Sequence, residues 1–334
     1  MKEKAETKLT GYLKIVEKEK KVVEDRIKKS LVGRKPESLY SPGYYVVETG
    51  GKRLRPMLIL LSAKAAGGSF KDAYNAAAAV ELMHNFTLVH DDIMDNAGKR
   101  RNRPTLHVKY DLSTAILAGD SLLSIAYELL IKDCNHNAAE ILNAFNSGLI
   151  EVCEGQSLDK EFETRKDVSV KEYYVMIQKK TAALIETCCR IGGLLGRGSK
   201  EVVKALADFG KYAGLAFQIQ DDLLDITGDE KEFGKICGGD LVEGKKTYLF
   251  LAALSKAKGN DKKKLLDVIK NKGIERKDIQ TYKELYEKLG VLKDAKKEIL
   301  RLSNVALKKI ELLPNQEDRE IFYELASSLI NRNK

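Results

Sequence analysis

Apolar residues in this chain recur with the 3.6-residue period of a helix, and alternation in the manner of a strand is nearly absent. That regularity narrows the fold to helices packed on helices. The pattern predicts an amphipathic helix over residues 6–31 that ends near Gly33. Pro42-Gly43 reads as a turn before a short helical piece stopped by Gly50-Gly51. A helix is expected from Leu54 to Ala66, with Pro56 tolerated in its first turn. Others are expected at 71–95, 111–131, 137–163, 169–196 and 200–226, and four or five more between 245 and 332. The segment 96–110 is basic and irregular, and 228–244 is glycine-rich. Only five prolines occur and no linker interrupts the chain, so residues 1–334 read as one all-α domain with the long apolar helices at its centre.

Chemistry concentrates in Leu88-Val-His-Asp-Asp-Ile-Met-Asp95, at the end of an apolar helical run. Residues i and i+4 share a helix face, so Asp91 and Asp95 point the same way. Carboxylates so placed repel unless a positive charge sits between them. Their oxygens suit a hard divalent cation, above all Mg²⁺, which keeps several waters and completes its shell with phosphate oxygens. The pattern returns in Gln218-Ile-Gln-Asp-Asp-Leu-Leu-Asp225, with Asp221, Asp222 and Asp225. One acidic cluster could be a solvated helix end; two copies, each after an apolar run, argue against that.

Three cations, Lys52, Arg53 and Arg55, lie at a loop-to-helix junction in Gly50-Gly-Lys-Arg-Leu-Arg-Pro56. A helix N-terminus with adjacent Lys and Arg suits phosphate, although a solvated basic turn has the same composition. Arg100-Arg101 either neutralises the first acidic cluster or clamps the far side of a metal-bound diphosphate. His84 lies seven residues before Asp91, on the same face about two turns away. It is either a structural histidine or a ligand; His90 and His107 carry no comparable argument.

The net charge of +9 fits an acidic ligand, nucleic acid or an anionic membrane surface. Lys-rich stretches at 18–29 and 256–282 alternate with acidic residues, as solvated helix faces or a partner surface would. Five cysteines without CxxC spacing point to a reduced, cytoplasmic compartment. The first residues carry no apolar signal region, and no uninterrupted apolar run reaches the about eighteen residues of a membrane span.

These motifs together resemble the trans-isoprenyl diphosphate synthases, the polyprenyl synthetase family, and most of all its archaeal geranylgeranyl type. The matching residues are Gly50–Pro56, His84, Asp91–Asp95, Arg100-Arg101, Gly155-Gln156 with Asp159, Lys180-Thr181 and Phe217–Asp225, extended by Gly234-Lys235, Asp240-Leu241 and Gly244-Lys-Lys-Thr247. They span 50–247 in the family's order. The resemblance implies an isoprenoid-synthase-like helical bundle around a deep apolar cavity, usually a homodimer, with the two aspartate-rich helices facing each other across its mouth. Asp91, Asp95 and Asp221 would bind Mg²⁺, typically as three ions, supported by Asp92, Asp222 and Asp225. The ions would hold the diphosphate of an allylic substrate (dimethylallyl, geranyl or farnesyl). Arg100, Lys180 and Lys235 would complete that grip, with Lys245 also on the substrate. Gln218 would sit beside the allylic carbons, and Thr181 with the backbone near Lys180 would steady the cation. Lys52, Arg55, His84 and Arg101 would hold isopentenyl diphosphate. The implied reaction is a Mg-dependent 1'-4 condensation in which the departing diphosphate accepts the proton, so no side-chain base is assigned.

Physics makes that arrangement reasonable. Ionising an allylic diphosphate creates a carbocation and a highly charged leaving group, and cations placed where that charge develops lower the barrier. An apolar cavity denies water to the cation. Two positions depart from the family pattern: Asn102 stands where a glycine is usual, and Ile236-Cys237 where a proline is usual. The terminal Asn331-Arg-Asn-Lys334 only weakly matches the family's basic tail.

In the family the side chains before the first cluster set the cavity floor, here Met83, Phe86 and Thr87. The aromatic five residues before Asp91 resembles the geranylgeranyl type and implies a twenty-carbon product, with farnesyl diphosphate as the alternative. Helical geometry puts Phe86 about 140° from Asp91 and Thr87 about 40° from it. A plain helix–helix contact would also explain Phe86. Of the rival readings, a class I terpene cyclase leaves the basic Gly50–Pro56 segment unexplained. A non-catalytic subunit would be expected to lack an aspartate cluster. A nucleic-acid binder leaves the paired carboxylates unused.

Overall fold

The computed structural model describes residues 2–228 and 237–330, with side chains for 16–228 and 237–327. Helices carry most of the described chain. The one sheet among the described residues is a two-stranded hairpin, Lys99–Arg100 against Arg103–Pro104. The all-α expectation therefore holds. The chain divides into two compact units. The first runs to Leu149 and includes Thr187–Ala207 and Leu312–Ile321; the second comprises Ile150–Glu186, Asp208–Glu311 and the chain from Phe322.

Small residues build the first unit. Ala76, Ala77, Ala78 and Ala79 are fully buried in the helix Tyr74–Met94, and Ala115, Ala118, Gly119 and Ala126 are buried in Leu112–Asp133. Without long side chains between them, two helices approach closely along their length. Their register is fixed at one end by Asp133, whose carboxylate accepts from the Ala76 N–H at 2.8 Å and the Asn75 amide at 2.7 Å. The Ala76 bond satisfies an N–H that a helix start leaves without an intrahelical partner, and the Asn75 bond adds a side-chain anchor. At the other end His90 lies against Gly119, where a Cβ would come within 2.5 Å of the ring.

Pro42-Gly43 is not the expected turn. Both lie inside the helix Glu37–Val47. The missing proline N–H costs one helical bond, and burial of Pro42, Gly43, Tyr45 and Val47 offsets it. The expected helix at 71–95 begins with a 3₁₀ turn, Phe70–Ala73, held by a capping box between Ser69 and Asp72.

The second unit is cored by Tyr173, Ile219, Leu249, Phe250, Tyr286 and Ile299, all nearly or fully buried. Each such side chain contributes about 1.5–3 kcal/mol by leaving water. Its tail helices are Tyr248–Lys256, Gly259–Asn271, Ile279–Lys288 and Val291–Ile310. The expected single helix at 169–196 is instead three pieces: Val170–Ile177, a π-helical turn Gln178–Ala182, and Ala183–Leu195. Such widened turns concentrate at functional sites.

Candidate active site

In the first unit, the helix Tyr74–Met94 ends in the first acidic cluster, with Asp95 as its closing residue. Asp91 is half-buried and Asp95 exposed, whereas Asp92, about 100° round the helix, is buried. Arg100 grips both Asp92 oxygens, its Nε at 2.8 and 3.0 Å and its Nη2 at 2.8 Å. Burial raises the Asp92 pKa and the Arg100 charge opposes that rise. Asp92 thus holds Arg100 in place at the foot of the hairpin.

The hairpin loop is Arg101-Asn102, with φ of 49° and 60°. Positive φ at both positions is what a two-residue hairpin requires, and asparagine tolerates it far better than most residues. Asn102 in place of the usual glycine therefore leaves the loop geometry intact. Arg101 reaches the Gly50 carbonyl and, at 3.2 Å, the Thr49 hydroxyl. A Cβ on Gly51 would lie 3.4 Å from the same guanidinium. Thr49, Asn85, Asp92, Arg100 and Arg101 line a common cleft.

The basic Gly50–Pro56 segment separates by burial. Arg53 turns inward, donating to Glu81, to Glu24 at 3.2 Å and to the Val47 carbonyl at 2.9 Å, and is 5% exposed. It holds the loop; Lys52 is exposed and Arg55 half-buried. Arg55 Nη1 donates to His84 Nε2 at 3.1 Å. Since arginine only donates, that nitrogen accepts and Nδ1 carries the proton. Burial, then Arg55, Arg101, Arg100 and Arg53, push the His84 pKa well below its ordinary value. His84 is neutral within a strongly cationic patch.

Of the three floor candidates, Met83 is buried in the core. Phe86 is half-buried and packs on the His90 ring, centroids 4.6 Å apart. The Thr87 hydroxyl donates to the His84 carbonyl.

In the second unit the π turn is pressed from two sides by glycine. A Cβ on Gly155 would lie 2.1 Å from the Lys180 nitrogen, and one on Gly214 would lie 2.7 Å from the Ala182 Cα. One turn beyond Gly155, Asp159 forms an ion pair with Lys180. One turn beyond Gly214, the Gln218 carbonyl accepts from the Thr181 hydroxyl at 2.7 Å. Thus Asp159, Lys180, Thr181 and Gln218 converge on one pocket, which Asp222, Asp240 and Lys245 also line.

The three aspartates of the second cluster differ. Asp221 and Asp225 are half-buried. Asp222 is buried and accepts three bonds: from the Tyr173 hydroxyl at 2.5 Å, the Tyr248 N–H at 2.9 Å and the Gln218 amide at 3.1 Å. Burial pushes its pKa up to about 7 against those donors, and the nearby charge of Asp240 adds to the rise. The Asp225 carboxylate accepts from the Asp240 N–H at 3.2 Å, and burial with Asp240 raises it likewise to about 7. Asp222 and Asp225 therefore both fasten the backbone of 240–248, which carries Lys245. The Lys245 ammonium lies 3.5 Å from Asp240 and 2.7 Å from Glu243.

Tyr173 was not legible as a site residue, because a tyrosine in an amphipathic helix looks like core. Asp240 matched the family pattern with Leu241, but no role for it could be read from the sequence. Lys235, Gly234 and Ile236 lie outside the described residues, as do Asn331–Lys334. Among the described residues no three His, Cys, Asp or Glu side chains converge closely enough to hold a metal alone. A Mg²⁺ here would take the rest of its shell from water and phosphate oxygens, in keeping with its chemistry.

Residues 36–289 match the polyprenyl synthetase family. A short chain isoprenyl diphosphate synthase from Methanothermobacter thermautotrophicus is 39% identical over 319 residues, covering 95% of this chain and 98% of that protein. The crystal structure of geranylgeranyl pyrophosphate synthetase from Pyrococcus horikoshii superposes with a TM-score of 0.89 at 35% identity, over 96% of this chain and 98% of that one. A polyprenyl synthase from Caulobacter crescentus, complexed with calcium and isoprenyl diphosphate, has a TM-score of 0.88 at 27% identity, over 97% of both chains.

Proposed function

The chain belongs to the polyprenyl synthetase family, whose members are prenyltransferases, and we propose that it condenses isopentenyl diphosphate with dimethylallyl, geranyl and farnesyl diphosphates to make geranylgeranyl diphosphate. One observation carries the reading: Arg55, His84 and Arg101 form a cationic patch, which would hold a diphosphate beyond the one the aspartate clusters serve. A cyclase, which takes a single diphosphate, has no use for it. The family match runs unbroken across the motifs, which supports treating the chain as one isoprenoid synthase domain.

The family depends on Mg²⁺ in general. Asp91, Asp95 and Asp221 would hold the ions, three in the family's manner; exposed or half-buried carboxylates offer the hard oxygens that Mg²⁺ takes. When bound, Mg²⁺ neutralises charge on the departing diphosphate. Arg100, Lys180, Lys235 and Lys245 bind the allylic diphosphate from the protein side. Asp92 and Asp159 orient the first two of these. Lys52, Arg55, His84 and Arg101 bind isopentenyl diphosphate. A neutral His84 can donate from Nδ1 while Nε2 orients Arg55. Thr181 and Gln218 face the allylic carbons. Incubating the pure protein with Mg²⁺, isopentenyl diphosphate and each allylic diphosphate, then sizing the products, tests the reading. Product that forms without isopentenyl diphosphate would favour a cyclase.

Phe86, half-buried and stacked on His90, supports a floor at twenty carbons. Phe86→Ala is expected to lengthen the product, read by chromatography of the dephosphorylated alcohols; an unchanged distribution would remove Phe86 from the floor.

The same reading includes a homodimer. The helix Leu112–Asp133 is long and apolar enough to cross a membrane, yet its alanine side is packed in the first unit. Its opposite side leaves Leu112, Ile116, Leu117 and Ile131 exposed, between 40% and 58%. A second copy of the chain would cover that face. Leu117→Glu should shift the protein toward monomer in light scattering, and a mass equal to wild type would count against this surface. The odd cysteine count supports a cytoplasmic setting.

A further inference from the structure

The helix Lys200–Thr227 presents Gly214, Gln218 and Asp222 at successive four-residue steps, on one face. Gly214 brings this face against the π turn. Gln218 touches Thr181, and Asp222 touches Gln218. These contacts form a chain with a direction. Gln218 donates from its NH₂ to Asp222 Oδ1 at 3.1 Å. Its carbonyl then faces Thr181 and takes the hydroxyl proton at 2.7 Å. A hydroxyl carries one proton and two lone pairs. With the proton committed to Gln218, the Thr181 oxygen offers only lone pairs to the pocket it lines.

Two further donors hold Asp222 still. The Tyr173 hydroxyl and the Tyr248 N–H both bond to Oδ2, which leaves Oδ1 to Gln218. Neither can turn its proton away without a cost: the Tyr248 N–H is backbone, and Tyr173 is fully buried with Asp222 as its hydrogen-bond acceptor.

We propose that Asp222 is a positioning residue for catalysis: through the Gln218 amide it sets the polarity of the Thr181 hydroxyl, so that a negative dipole end faces the carbon that becomes cationic. This rests on the prenyl-transfer reading and deepens it. The allylic C1 gains positive charge as its bond to the diphosphate oxygen lengthens. An oriented oxygen lone pair stabilises that charge without reorganising, whereas a hydroxyl proton aimed the same way opposes it. The cluster's second aspartate therefore acts on the carbocation, while Asp221 acts on the leaving group.

Asp222→Asn tests it. The asparagine Oδ1 can still accept from Tyr173 and Tyr248, but its NH₂ now faces Gln218. The Gln218 amide must turn over, donate to Thr181, and release the hydroxyl proton toward the pocket. Turnover with saturating substrates is expected to fall by about tenfold or more. The Mg²⁺ dependence and the KM for isopentenyl diphosphate should stay near wild type. In a Thr181→Val background the Asp222→Asn exchange should have little further effect, because no hydroxyl remains to reverse. Equal losses in both backgrounds, or an unchanged kcat, would overturn the relay; a purely structural role predicts equal losses. Should Asp222→Asn fail to fold, Gln218→Met with Thr181→Val forms the same cycle at the next bond, and additive effects there overturn it equally. If the wild-type protein makes no prenyl product, the reaction reading fails and the relay falls with it, an outcome distinct from an active enzyme with an indifferent Asp222.

Discussion

Exchange of Asp91 or of Asp221 for alanine is expected to lower turnover by about a thousandfold each, with the fold unchanged. Both side chains are half-buried, and neither packs in the apolar core, so circular dichroism and melting should match wild type. The size of the expected loss follows from charge. The substrate is a diphosphate, and bare carboxylates would repel it. On the proposed assignment, cations stand between carboxylate and phosphate. Removing one ligand weakens both the ion and its hold on the leaving group, where charge develops most. Raising Mg²⁺ should recover part of the loss, since affinity falls as well as rate. Product formation at several Mg²⁺ concentrations measures this, and near-normal activity in either variant would defeat the metal assignment. Asp92 and Asp222 are held by protein donors, Arg100 for the one and Tyr173 and Tyr248 for the other, and their exchange should leave Mg²⁺ affinity largely intact.

The helices were legible because helical periodicity is a local signal, repeated over many turns. The paired clusters were legible for the same reason, since i and i+4 fix a shared face. Burial within a cluster was not. Nothing in Asp-Asp-x-x-Asp says that its middle aspartate turns inward; that depends on Arg100 and on Tyr173, 8 and 49 residues away in the chain. Pro42-Gly43 misled because turn chemistry and a buried helix use the same residues, and tertiary burial decided. The π turn was not read, because its residues Gln178–Ala182 are ordinary helix formers and five residues are too few to set a period of their own. Its signature lay elsewhere in the sequence, at Gly155 and Gly214, whose role appears only when the helices meet.

Gly155→Ala should therefore be among the most damaging single-methyl changes in the chain. A Cβ at 155 would lie 2.1 Å from the Lys180 nitrogen, 2.6 Å from its Cα and 2.7 Å from the Lys179 carbonyl carbon. All three obstacles are backbone, so no rotamer relieves them. Reaching an ordinary contact of about 3.5 Å requires the helix Ala138–Thr164 to retreat from the π turn by more than an ångström. Asp159, on that helix, would move from Lys180, and the Thr181–Gln218 bond would be strained from the other side. Misplacement on that scale costs about a hundredfold in rate. Overpacking costs about 1–3 kcal/mol of stability, offset in part by the about 0.5–1 kcal/mol that alanine gains over glycine in a helix. Gly148→Ala, on the same helix, separates packing from catalysis. Its Cβ would meet the Thr187 hydroxyl at 2.1 Å, which rotation moves away, and the Thr187 Cβ at 2.9 Å, which needs a smaller shift than Gly155 does. That variant should lose stability and keep kcat, while Gly155→Ala loses both. A Gly155→Ala enzyme with wild-type kcat would mean that the backbone at Lys180 tolerates displacement, and that the widened turn does not set the position of Thr181.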